Sequence, residues 1–156
     1  MKRNFVDLVE SLAERAGWSR PQPDAAGVCR YAFDEDVELE LLSPDGRTLI
    51  LRADMGAAPE SGLNFREEWE KLGRLAAGTM LLRPSVLSLR DGGRLELHRR
   101  LSLEALDEPA FQTAVEEFLN DEAWWKDELS AKSPAQAAAA SPFSMDGNWF
   151  SGMKGF

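Results

Sequence analysis

The sequence predicts an α+β domain: three amphipathic helices and an antiparallel twisted sheet in the order α-β-β-β-α-β-β-α. Apolar residues recur at helical spacing near the start, in the middle and towards the end of the chain. Between those stretches lie short runs of β-rich or alternating residues, joined by turn signals of hairpin length. The length of 156 residues suits one such domain and a real core.

Asn4 to Ala16 is the first helix. Phe5, Leu8, Val9, Leu12, Ala13 and Ala16 make one apolar stripe, with Asp7, Glu10, Glu14 and Arg15 opposite. Asn4 can cap its start and Gly17 can end it in the left-handed conformation. A loop over 19–27 leads to a strand at Val28–Phe33. Val37–Leu41 alternates strictly, so one face is buried and one is wet. Ser43-Pro44-Asp45-Gly46 is a turn, and Arg47–Met55 returns as the third strand of a meander.

Asn64 is placed to cap a second helix, with Glu67 completing a capping box, and Pro84 stops it. Phe65, Trp69, Leu72, Leu75, Ala76 and Thr79 form its stripe. Gly73 and Gly78 each cost about 1 kcal/mol relative to Ala inside a helix, and small residues at such spacing usually admit a second backbone. Ser85–Arg90 and Arg94–Leu103 are strands joined by Asp91-Gly92-Gly93, a hairpin signal. Asp107 caps a third helix with Pro109 in its first turn. Its buried face runs through Phe111, Ala114, Val115, Phe118, Leu119, Trp125 and Leu129. Nine residues from Glu104 to Glu128 are acidic and only Lys126 is basic, so the outer face of this helix is negative.

Composition narrows the function. The net charge of −9 repels nucleic acid and anionic lipid, which both need phosphate neutralised by Lys or Arg. Cys29 is the one cysteine, so no intrachain disulfide supports the fold, and its apolar setting suits a small buried hydrophobe. No signal peptide or membrane-spanning run of about 18 apolar residues is visible, and a cytoplasmic protein is expected. His98, the one histidine, lies in the polar register of a strand with no nucleophile motif to serve. Asp34-Glu35-Asp36 lacks the ligand spacing of a calcium loop and reads as a polar turn. No metal, cofactor or enzymatic activity is expected, because no phosphate loop, dinucleotide fingerprint or Cys/His grid is present.

Binding features are richer. Three amphipathic helices and about five strands offer more apolar face than one thin domain covers from a single side, and the usual solution is a dimer. From Ser130 the character changes: 130–142 is an Ala/Pro/Ser linker after the 1–129 domain, and 143–156 holds four aromatics and two methionines in fourteen residues.

This order of elements, the acidic balance, the Phe5-x-x-Leu8-Val9-x-x-Leu12 helix and the Leu39-x-Leu41 strand before a Pro-Asp-Gly turn resemble the class I type III secretion chaperones of the Tir-chaperone type. Leu95-Glu96-Leu97-His98-Arg99-Arg100-Leu101 and the acidic closing helix with tryptophan are similar as well, so that the resemblance covers roughly 4–129. It implies a bacterial homodimer that holds an N-terminal segment of a secreted effector in extended form, without ATP or catalysis. It further implies that Phe5, Leu8, Val9, Leu12, Val37, Leu39 and Leu49 line effector grooves. Trp69, Leu72, Leu75 and Ala76, with Val86 and Leu87, would form the self-interface. A regulatory adaptor of the same fold, binding a folded partner, is the alternative. Family members commonly stop soon after the third helix. The continuation here suggests that Phe143, Trp149, Phe150, Met153 and Phe156 dock into an apolar groove, or contact another partner such as the export apparatus.

Overall fold

Helix α1 (Phe5–Ala16) is fastened at both ends by its own sequence. Asn4 Oδ1 accepts the Asp7 N–H at 2.9 Å, and Gly17, at φ 69°, closes the other end in the left-handed region that favours glycine. The computed structural model describes residues 4–35 and 37–131. The expected linker beyond Ala131 and the aromatic segment 143–156 lie outside the described residues.

Strands β1 (Cys29–Asp34), β2 (Val37–Leu42) and β3 (Thr48–Ala57) form the expected meander. At the β2–β3 turn, Asp45 Oδ1 accepts the N–H groups of Arg47 and Thr48 at 2.9 and 2.6 Å. These bonds and the Thr48 hydroxyl hold its carboxyl at about 2. Helix α2 (Phe65–Thr79), the hairpin β4 (Val86–Arg90) and β5 (Arg94–Ser102), a 3₁₀ turn at Leu103–Ala105 and helix α3 (Glu108–Ser130) follow. Asp107 caps α3 by accepting the Ala110 N–H at 2.8 Å.

The capping box expected at Asn64 does not form. Asn64 has φ −109° and ψ 14°, not the extended backbone of an N-cap, and its side chain makes no bond to the helix end. Pro84 is also not the immediate stop. The helix ends at Thr79, whose hydroxyl donates to Ala76 O at 2.9 Å, and the Arg83 N–H closes a last turn onto Thr79 O at 2.8 Å.

All five strands join in one antiparallel sheet of order β1-β2-β3-β5-β4. The register sets Leu41 beside Leu51, Leu49 beside Leu101 and Ala53 beside Leu97, so the period-2 alternation puts these buried rows on one face, while the half-buried pair Leu42 and Ile50 falls on the other. A bulge lies between Asp54 and Gly56 of β3, where Gly56 takes φ 93°. Helices α1 and α3 contact each other, and α3 crosses β2 and β3. The core lies between them and the sheet, with Phe111, Phe118 and Trp125 at 1% exposure or less. Helix α2 packs along β4 and reaches this core through Leu72.

The other sheet face is polar. Arg30 of β1, Glu40 of β2, Arg52 of β3, Glu96 of β5 and Arg90 of β4 alternate in charge across all five strands. Successive N···O distances are 2.8, 2.5, 3.8 and 3.1 Å.

The acidic face of α3 is not wholly solvated. Glu122 is fully buried and Asp121 is 4% exposed. Lys126 Nζ lies 2.8 Å from Glu122 Oε1, one helical turn away. Desolvation nevertheless outweighs the ammonium and the Glu38 backbone, and it raises the Glu122 carboxyl above its ordinary 4.5. A raised carboxyl binds its proton more tightly in the folded state, so its contribution to stability is full below about pH 4.5 and is lost as pH rises through the folded value. Glu122→Gln is therefore expected to become progressively more stable relative to the parent as pH rises from about 4.5, read by urea unfolding of both proteins. Lys126→Ala, which strips the buried Glu122 of its partner, should cost roughly 3 kcal/mol near neutral pH.

Candidate binding surface

What this subunit leaves uncovered follows from its sheet order. Among the described residues, strands β1 and β4 are the two edges of the sheet, and no further strand pairs with their outer sides. Arg30 of β1, exposed at the first edge, is tied to the loop before it through Asp24. Asp24 Oδ1 also accepts the N–H groups of Ala26 and Val28 at 2.8 and 3.0 Å. These donors, with the Val28 N–H foremost, hold the Asp24 carboxyl at about 2. The loop stays folded back, and Trp18 rests on Tyr31 and Phe33 with ring centroids 4.9 and 4.7 Å apart.

The residues expected to line effector grooves divide in two. Leu8, Val9, Leu12, Leu39 and Leu49 lie in the core at 4% exposure or less, between α1 and the sheet. Phe5 and Val37 are half-buried at its margin, and Val6, beside Phe5, is exposed. The first group builds the subunit and the second has surface to offer. Helical periodicity cannot separate the two, because it marks the apolar stripe and not what covers it.

The residues expected at the self-interface sit mostly on the inner side of α2 and β4. Leu72 is buried, while Trp69, Leu75, Ala76 and Leu87 are half-buried against the core. Val86 is half-buried as well. Trp69 donates its indole N–H to Pro59 O at 3.0 Å.

The outer side of the same elements carries apolar groups that periodicity did not mark. Leu81 and Leu82 are 89% and 86% exposed, Leu63 and Met80 project from the same region, and Leu89, on the same face of β4 as Leu87, is exposed at the end of the strand. The available signal was the unbroken Met80-Leu81-Leu82 run between the end of the α2 stripe and Pro84. Gly73 and Gly78 face open space, since a Cβ at either would meet nothing within 4 Å in this subunit. The run is held in place by Arg83, which pairs with Asp121 Oδ1 at 2.7 Å and lies 4.5 Å from the Trp124 ring centroid.

Chemistry is meagre by comparison. Cys29 is fully buried, and burial raises its thiol. His98 Nδ1 lies 3.3 Å from Ser88 Oγ on the polar sheet face. Among the described residues no group of three or more His, Cys, Asp or Glu could hold a metal ion, and no helix is long and apolar enough to cross a membrane.

A one-sided five-stranded sheet with α1 and α3 on its covered face and apolar surface left at α2 and β4 is the frame of a protein-binding module. Residues 7–126 match the Tir chaperone protein (CesT) family, and the chain belongs to that family. The fold is also that of chains in three solved complexes. A chain of the ExsC–ExsE complex aligns with TM-score 0.61 at 20% identity, covering 81% of this chain and 93% of that one. A chain of the HopA1–SchA chaperone–effector complex aligns with TM-score 0.61 at 18% identity, covering 77% and 91%. A chain of the heterodimeric ExoU–SpcU complex from the type III secretion system of Pseudomonas aeruginosa aligns with TM-score 0.58 at 19% identity, covering 76% and 94%. No curated protein matches by sequence.

Arg83→Met is predicted to destabilise the chain by about 2 kcal/mol, because it leaves Asp121 nearly buried without its guanidinium. Chemical denaturation of the variant measures this, and Arg83→Lys should recover part of the loss.

Proposed function

We propose that this chain is a non-enzymatic, cytoplasmic chaperone of bacterial type III secretion that holds the N-terminal region of a secreted effector in extended form until export. The observation that carries this reading is the family match across 7–126, which takes in every helix and strand except the ends of α1 and α3. The chaperone–effector complex among the solved relatives supports an effector as the partner.

The geometry suggests how a client would bind. An extended segment can add to the outer edge of β1, which no strand among the described residues pairs, through backbone hydrogen bonds. Apolar side chains of that segment would meet the exposed flank of α1 at Phe5 and Val6, with Val37 close to the same edge strand. The β1 edge suits strand addition because Asp24 and Arg30 keep the preceding loop folded back by a salt bridge. Holding an unfolded client requires no bond to be made or broken, so binding itself is the activity.

A homodimer fits the other edge. The outward glycines of α2 would let a second α2 approach closely, and the Met80–Leu82 run with Leu89 would supply the apolar contact. Two copies would then offer two β1 edges to one client chain, a bivalent arrangement that strengthens binding without new kinds of contact.

Co-expression with the first 150 or so residues of candidate secreted proteins tests the reading. The expected product is a stable complex of two copies of this chain and one client, in which client amides exchange rapidly except over short protected segments. Val6→Asp should weaken that complex at least tenfold with little effect on the fold. A client bound only as a folded domain would contradict the proposal and favour a regulatory adaptor.

A further inference from the structure

A second surface, away from the β1 edge and not part of the client site proposed there, combines apolar side chains with a charged rim. It is a groove of about 1130 Å³ between α2 and the last turn of α3, floored by Met55 and Leu95 and walled by Leu72, Leu75 and Leu129. Its volume is that of a cleft that encloses several side chains. Its far wall ends in Ser130 and Ala131, so the chain leaves the described structure inside this groove. Twenty-five residues follow, ending in Phe143-Ser-Met145-Asp-Gly-Asn-Trp149-Phe150-Ser-Gly-Met153-Lys-Gly-Phe156.

We infer that this segment, 143–156, is the occupant of the groove in its own chain. Three features favour it. The first is reach. Residues 132–142 can extend at most about 35–40 Å, whereas the groove wall from Glu68 to Leu75 is only about 10 Å of helix, so the tether never limits docking. Such a tether holds the segment at an effective concentration on the order of millimolar, which turns weak apolar contacts into lasting occupancy.

The second feature is complementary chemistry. Met55, Leu72, Leu75, Leu95 and Leu129 supply aliphatic and thioether surface between the charged groups of the rim, and the segment supplies aromatic rings and methionines with glycines between them to shape the backbone. The third is charge. The rim carries the acids Asp54, Glu68, Asp127 and Glu128 against the bases Lys71 and Lys126, with Asp54 paired to Arg94 and Lys126 to Glu122. The segment holds one acid, Asp146, and one base, Lys154, so it enters an acidic protein without net repulsion and can set Lys154 against the acidic rim.

The experiment compares amide NMR spectra of the full chain and of full-length Trp149→Ser/Phe150→Ser. The described core is built from residues 5–129, so the substitutions remove no side chain from it. Localised shift differences at Met55–Ala58, Leu72, Leu75 and Leu129 are expected, and full-length Leu75→Glu should reciprocally shift the signals of 143–156. Unlabelled parent protein is then mixed with labelled Trp149→Ser/Phe150→Ser. Groove signals that stay at the variant positions support occupation within one chain, and signals that return to the parent positions show a tail supplied by a second copy and overturn the inference. Groove signals identical in parent and variant overturn it as well, whether the groove is empty or takes a client instead. None of these outcomes depends on effector binding at β1, so the two proposals stand or fall separately.

Discussion

The structure depends on a sheet that buries its apolar rows on one face and pairs charges on the other. Strict alternation in β2, β3 and β5 sends Leu39, Leu41, Leu49, Leu51, Leu95 and Leu97 to the same side, and all are at most 3% exposed under α1 and α3. A one-residue slip anywhere would invert that arrangement, so the register is fixed by burial on one face and by charge pairing on the other. The Arg30-Glu40-Arg52-Glu96-Arg90 ladder lets the second face meet water without a second helical layer. A half-covered open sheet necessarily keeps two edges, and the chain puts its remaining apolar groups near them. Assembly follows from that geometry more directly than from any single side chain.

Much of this was legible beforehand, for identifiable reasons. The α1 stripe, the β2 alternation, the Asp91-Gly92-Gly93 hairpin and the Asp107 cap are local signals, and local signals survive folding when the tertiary structure agrees with them. Asn64 is the instructive exception. Residue type suited it to a cap, but the turn after Gly62 sets its backbone near ψ 14°, and the side chain cannot reach the helix end. The acids of α3 are another. Asp121 and Glu122 have the same chemistry as the exposed Glu117 and Asp127, and only the packing of α3 against the sheet and the Arg83 turn decides that two of them are buried.

The binding surface was harder to read because a period reports which residues share a face and is silent on what lies opposite. Leu8, Leu12, Leu39 and Leu49 share faces as expected, yet those faces meet each other within one subunit. Of the groups left outside, Met80, Leu81 and Leu82 belong to a short irregular run where no period operates, and Leu89 follows the strand period yet lies at an edge with nothing over it among the described residues. Trp18 likewise carries no periodic signature, although it covers Tyr31 and Phe33 at the end of the sheet. Among the described residues, the charged groups on the open sheet face are largely paired with one another across strands.

If the apolar surplus at α2 and β4 exists for assembly, the full chain cannot be a lasting monomer. Sedimentation equilibrium on the isolated protein measures this without reference to any client. The account predicts a species of twice the 17.3 kDa chain mass that persists on dilution to low micromolar concentration. A single 17.3 kDa species at every concentration, with Leu81 and Leu82 still facing water, would contradict it.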